Sequence, residues 1–184
     1  MTTTIRRTVP GLAAATLAGA LLLTGCSAED EPAAAPETTE TTASPAPGEA
    51  GIDVSSADER EATAGDPETF TGDVAIQPLY DPNDASTGGA GQVTFQPGAR
   101  TAWHSHPAGQ RLIVTDGTGW VQEEGEDRIT VSAGDVVWFA PGVKHWHGAT
   151  DGEAMTHIAV QDTIDGSNAE WMEHVSDEQY LDQA

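Results

Sequence analysis

From Gly91 to Gln161 the chain is a succession of short β-like runs separated by glycine-containing turns, and this cadence constrains the fold more than any other feature. The runs cover residues 91–95, 101–106, 111–116, 119–123, 128–132, 135–140, 145–149 and 154–161. Between them fall Gln96-Pro97-Gly98, Asp116-Gly117, Gly125, Ala133-Gly134, Pro141-Gly142 and Asp151-Gly152. Regular short strands punctuated in this way predict an all-β sandwich or barrel. Residues 70–79 add an earlier β-like stretch, and 81–91 read as a turn-rich loop of Asp, Pro, Asn and Gly. Near the end, residues 171–175 read as one more strand, and Ser176-Asp177-Glu178-Gln179 opens a short helix with a capping-box pattern.

Charge divides the chain unevenly. Arg6 and Arg7 are the only charged side chains before Glu29, and all 30 acidic residues lie beyond, among five basic ones: Arg60, Arg100, Arg111, Arg128 and Lys144. A surface this acidic repels nucleic acid and anionic headgroups, so nucleic acid is excluded as a partner through charge. Arg6 and Arg7 followed by the short apolar run 12–23 read as an export signal over residues 1–25. Leu23-Thr24-Gly25-Cys26 looks like a bacterial lipobox, and Cys26 is the single cysteine of the chain. Lipidation at Cys26 is therefore expected, which places the protein at the cell membrane, anchored by lipid and facing outside the cytoplasm. Whether export is general or of the twin-arginine type is open at this stage. Residues 26–67, rich in Ala, Pro, Thr and acids, carry too few large apolar side chains to offset ordering and read as a disordered tether. The globular domain is expected over 68–184.

Histidines supply the candidate chemistry. His104 and His106 stand at i and i+2, which puts both imidazoles on one face of a strand. Parity also places His147 beside His145, with Trp146 opposite, and groups Met155, His157, Ala159 and Gln161 against Thr156, Ile158 and Val160. A neutral imidazole at His157, facing a barrel interior, suits general base work near neutral pH. His174 lies in no such pattern and reads as an ordinary surface residue. With no thiol beyond Cys26, any metal must be held by nitrogen and oxygen. Such donors accept Mn, Fe, Co, Ni, Cu or Zn without choosing among them. Trp103, Trp120, Trp138 and Phe139 are candidates for apolar pocket walls or, with greater weight, for core and interface packing.

Two segments carry a family resemblance. The spacing from Gly98 through His104-Ser105-His106 and Gln110 to Gly117 resembles the first cupin motif, with Gln where Glu is usual. The segment from Gly134 to His145 resembles the second. More closely, ARTAWHSHPAGQ, LIVTDGTGW, GDVVWFAPGVKHWHGA, AMTHIAVQ and WMEHVSDEQY are similar to the small single-domain bacterial cupins that include manganese-dependent hydroxynitrile lyases. That resemblance implies a jelly-roll barrel, with His104, His106, Gln110 and His145 as ligands to a divalent metal. Manganese is the first choice, with Fe(2+), Zn(2+) and Ni(2+) as alternatives. His157 and Gln161 would then lie beside a small-molecule substrate, and His147, placed by parity alone, is a third catalytic candidate. A neutral amide in place of a carboxylate leaves a bound ion closer to its full charge and so a stronger Lewis acid. The implied activity is cleavage of a cyanohydrin to an aldehyde and cyanide; a cupin oxygenase, or a non-catalytic metal- or ligand-binding surface lipoprotein, are the competing readings. Cupins commonly pair through exposed strands, which would also cover the strand edges, so the resemblance implies a homo-oligomer, dimer or tetramer.

Overall fold

The computed structural model describes residues 51–182. The expected export signal, the expected lipidation site Cys26 and the part of the expected tether up to residue 50 lie outside the described residues. In chain order the strands are β1 (Thr63–Ala64), β2 (Phe70–Thr71), β3 (Val74–Tyr80), β4 (Gly88–Phe95), β5 (Arg100–Thr101) and β6 (His104–Ser105). They continue as β7 (Gln110–Glu123), β8 (Ile129–Ser132), β9 (Val136–Phe139), β10 (His145–Ala149), β11 (Met155–Asp162) and β12 (Glu170–Trp171), followed by helix α1 (Asp177–Leu181). Among the described residues the fold is all-β, a curled jelly-roll sheet with one short C-terminal α-helix and a single 3-10 turn at Ala57–Glu59. Every pairing among these strands is antiparallel, in the order β1-β3-β4-β11-β7-β10-β5-β2. Sheet pairing begins earlier than composition indicates, because Thr63 and Ala64 of β1 pair with Ile76 and Ala75 in a stretch read as tether.

The long strand β7 differs from expectation. Two runs separated by a turn at Asp116-Gly117 were predicted, whereas Gln110–Glu123 is continuous. Its partner register shifts between Thr156 and His157, which face Asp116 and Val114 respectively, so Thr115 is an extra residue. A bulge of this kind bends a strand and inverts which side chains face inward. Before Thr115 the even-numbered Gln110, Leu112 and Val114 are buried; beyond it Val121 joins the same core and Trp120 packs elsewhere. One strand thereby serves both halves of the barrel. Gly117 makes the bend possible, with φ of 71°, and a Cβ there would lie 1.9 Å from the Ala154 carbonyl oxygen. Gly117→Ala is expected to cost about 3 kcal/mol of stability through backbone strain and overpacking, read from the midpoint of urea unfolding.

Two apolar clusters result. One fills the barrel, with Phe95, Leu112, Val114, Phe139 and Met155 at its centre. The other, Trp103, Trp120, Trp146, Val175 and Tyr180, covers the outer face of β10. Burying each of these large side chains contributes about 1.5–3 kcal/mol. The second cluster draws the C-terminus across the sheet. The expected capping box is present, with Ser176 and Gln179 each capping the other's backbone N–H. The strand expected over 171–175 shrinks to Glu170–Trp171, because Met172 and Glu173 bond to Trp103 rather than continue a ladder.

Candidate metal centre and active site

Strands β6, β7, β10 and β11 bring the sequence-selected residues into one interior, with His106 just beyond the end of β6 rather than on the strand with His104 as expected. His104 pairs with His145 across β6 and β10, and Gln110 pairs with Gln161 across β7 and β11. The parity assignments hold: His145 and His147 share a buried face, as do Met155, His157 and Ala159. His104, His106, Gln110, His145, His147 and His157 are all at most 4% exposed. Ring centroids of His104 lie 5.0 Å from His106, 4.3 Å from His145 and 5.3 Å from His147. His174 stays apart at the surface, hydrogen-bonded to Thr71 Oγ1 at 3.2 Å.

Three imidazoles are oriented by the backbone. Nδ1 of His104 donates to the Ala102 carbonyl at 3.0 Å, that of His106 to Asn168 at 2.5 Å, and that of His145 to Val143 at 2.9 Å. A carbonyl can only accept, so each Nδ1 carries the proton and each neutral ring presents a bare Nε2 lone pair. Gln110 Nε2 donates to Gln161 Oε1 at 3.5 Å, which turns its own Oε1 to within 3.2 Å of His145 Nε2. Two lone pairs thus face each other, and the buried Nε2 of His106 has no protein partner. Neutral nitrogen donors and an amide oxygen turned inward match the ligand chemistry of a divalent transition ion.

Electrostatics keep these rings neutral. Burial pushes His104 well below the usual histidine range, with His145 and His106 adding to the effect. Burial likewise lowers His106 and brings His145 down to about 4. His157 is lowered to about 3 by burial, and His147 well below normal by burial and then by His157. Proton competition for the lone pairs is correspondingly weak near neutral pH.

His147 belongs to a second arrangement. Its Nδ1 lies 3.3 Å from His157 Nε2, leaving His147 Nε2 and His157 Nδ1 buried without partners. His104, His145 and His147 also form a group whose ring nitrogens lie within 4.8 Å of one another, a trio able to hold a metal. What separates His147 from His104, His106 and His145 is its contact with another imidazole in place of a carbonyl anchor.

Beside the histidines lies a cavity of about 210 Å³, walled by Phe70, Ile76, Val93, Ala159 and Trp171 and reached by His147, His157 and Gln161. Its size and apolar lining fit a small organic molecule. Trp103, Trp120, Trp138 and Phe139 do not line it, contrary to one of the sequence readings. Trp103 and Trp120 pack in the outer cluster, Trp138 is 50% exposed, and Phe139 stacks on His145 at 3.6 Å. The aromatic walls are Phe70 and Trp171. Asn168, which orients His106, gave no sequence signal because it acts through its backbone carbonyl.

A small all-β barrel with inward-turned histidines on facing strands defines a cupin, and the chain belongs to that family: residues 91–160 match its cupin domain. Over 111 residues it is 58% identical to a protein of Granulicella tundricola named (R)-mandelonitrile lyase, an alignment spanning 60% of this chain and 85% of that relative. The crystal structure of a cupin-like protein from Thermotoga maritima is similar with a TM-score of 0.62 and 43% identity, covering 64% of this chain and 90% of that one. A cupin-2 domain from Rhodospirillum rubrum, with a TM-score of 0.54 over 66% of this chain and 80% of its own, shares the fold at 18% identity.

Proposed function

We propose that this protein is a metal-dependent cupin lyase of the hydroxynitrile lyase type, converting a small cyanohydrin to an aldehyde and cyanide. The observation that carries the proposal is the juxtaposition of two histidine groups, one anchored with bare Nε2 atoms and one paired through His147 and His157, beside an apolar cavity. The 58% identity to the lyase-named relative supports the reaction class. His104, His106, His145 and Gln110 would hold the ion, which we take to be manganese from the family resemblance. Such an ion, when bound, supplies Lewis acidity that makes a neighbouring hydroxyl easier to deprotonate.

The chain's own groups carry the proton. His157 accepts it from the cyanohydrin hydroxyl as the bond to the nitrile carbon breaks. The oxygen electron pair becomes the aldehyde C=O, the bonding pair leaves as cyanide, and His157 returns the proton to give hydrogen cyanide. At a pKa of about 3, His157 is a weak base. It therefore suits only a hydroxyl already made acidic, which ties its role to the ligand group beside it. His147, 3.3 Å away, shares the charge of the protonated ring, and Gln161 holds Gln110 in orientation while facing the substrate. Phe70, Ile76 and Val93 receive the organic substituent and exclude water. Lipid attachment at Cys26, which we also propose, would present this chemistry outside the cytoplasm. The test pairs elemental analysis of the purified protein with cyanide release from mandelonitrile. One divalent ion per chain and release above a chelator-stripped control are expected; metal-loaded protein that releases no cyanide overturns the lyase reading.

A further inference from the structure

Of the five basic residues beyond the signal region, three converge on one stretch of chain, residues 168–182. Arg100 is buried, and its Nη2 donates to the Val175 carbonyl at 2.9 Å and to Asp177 Oδ1 at 2.6 Å, with the guanidinium 4.5 Å from the Tyr180 ring centroid. Arg128 donates to the Tyr180 carbonyl and sits 3.6 Å from the Trp120 ring. Lys144 reaches Glu173 at 2.6 Å and Glu124 at 2.7 Å. The stretch itself carries five acids, Glu170, Glu173, Asp177, Glu178 and Asp182, on a domain already strongly acidic. Without these cations it would be repelled.

The same stretch touches the histidines. Trp171 stacks on His104 with centroids 4.6 Å apart and planes at 28°, and the Asn168 carbonyl accepts from His106 Nδ1. Glu170 and Trp171 pair with Ser105 and His104. Trp171 is 41% exposed, so burial alone does not fix it. It is fixed through its neighbours: Met172 N donates to the Trp103 carbonyl at 2.9 Å, Trp103 N donates to that of Glu173 at 2.9 Å, and Lys144 secures Glu173.

We propose that residues 168–182 form an electrostatic latch, in which Arg100, Arg128 and Lys144 hold a strap whose Trp171 and Asn168 are positioning residues for His104 and His106. Opening the strap uncovers one wall of the cavity, removes the carbonyl that anchors His106 and takes away the ring stacked on His104, which keeps its bond to Ala102. The consequence for metal retention rests on the function proposed above; the latch itself does not. Its ion pairs end on carboxylates of Asp177, Glu173 and Glu124, whose side chains are 86%, 62% and 60% exposed, so salt should weaken them. An acidic domain as a whole should gain stability from salt as its self-repulsion is screened. Loosening confined to the strap is therefore a distinctive sign.

Hydrogen exchange on the protein as purified tests the latch. Raising NaCl from about 0.05 to about 1 M, which shortens the screening length severalfold, should speed exchange at the Trp103 and Met172 amides and leave Leu112 and Ala159 in the central sheet unchanged or slower. Glu173→Gln at low salt should reproduce part of that effect. Trp171→Ala should speed chelator stripping of bound metal about tenfold, the usual weight of a group supporting a ligand. Salt-independent exchange at Trp103 and Met172 overturns the latch, and stripping within about twofold of the parent overturns the positioning role of Trp171. A protein that binds no metal overturns the proposed function, and exchange at those two amides then decides the latch by itself.

Discussion

Replacing His157 with Ala is expected to lower kcat for cyanide release by about 10²–10⁴-fold, the usual weight of a positioned general base, while the metal content stays at its parental level. The reasoning is spatial. His157 is fully buried on β11, its Nε2 is engaged with His147 Nδ1 at 3.3 Å, and its ring neighbours are Phe95 at 5.6 Å and His147 at 4.9 Å. Removing it deletes the proposed proton acceptor and leaves the bare Nε2 atoms of His104, His106 and His145 in place. His145→Ala removes one of those atoms and should lose metal and turnover together. The two variants thus separate binding from proton transfer. Because His157→Ala opens a cavity in the barrel, His157→Gln serves as a companion that keeps most of the volume while offering no basic nitrogen. Steady-state kinetics with elemental analysis on each variant decides the matter. Loss of metal from both His157 variants would make His157 part of the metal centre, whereas unchanged kcat in both would exclude it as the base.

The sequence made some of this legible because side chains alternate strictly along an unbroken strand. Strands β10 and β11 contain no insertion, so parity alone places His145 with His147 and His157 with Ala159. Parity failed where the ladder does. At Thr115 the extra residue of β7 inverts the inward set, and a continuous strand reads in sequence as two runs separated by a turn. The cavity walls were harder still. Phe70 and Trp171 come from two-residue strands at opposite ends of the domain, and nothing local in either stretch announces that they meet at 5.7 Å. Asn168 orients His106 through a group that every residue possesses, so its identity carries no message. The C-terminal strap was readable as a short strand and a capped helix, of which the helix is present and the strand is reduced to Glu170–Trp171. That three of the few cations are committed to holding it emerges once the chain is folded.

The same burial that keeps the histidines neutral makes the fold sensitive to acid. In an unfolded chain a histidine takes up its proton near pH 6.5, whereas in the fold His145 does so at about 4 and His157 at about 3. Both folded values are depressed, so above the ordinary value both states are neutral and stability is at its full level. As pH falls below it, the unfolded state binds protons that the folded state refuses, and stability is lost through the window down to the folded values. Each such histidine costs about 1.4 kcal/mol per pH unit, or about 2 kcal/mol by pH 5. Together the two approach the lower part of the usual stability range of about 5–15 kcal/mol soon below pH 5. His104 and His147, also held well below normal, steepen the loss. Urea unfolding with chelator present is expected to give nearly constant stability from about pH 8 to 7 and a decline from about pH 6, with unfolding in the absence of urea between about pH 4 and 5. His157→Leu should reduce the slope in that window by close to one proton. Stability that stayed flat between about pH 7 and 5 would mean that these rings take up protons within the fold, and the picture of a neutral, cation-ready interior would be lost with it.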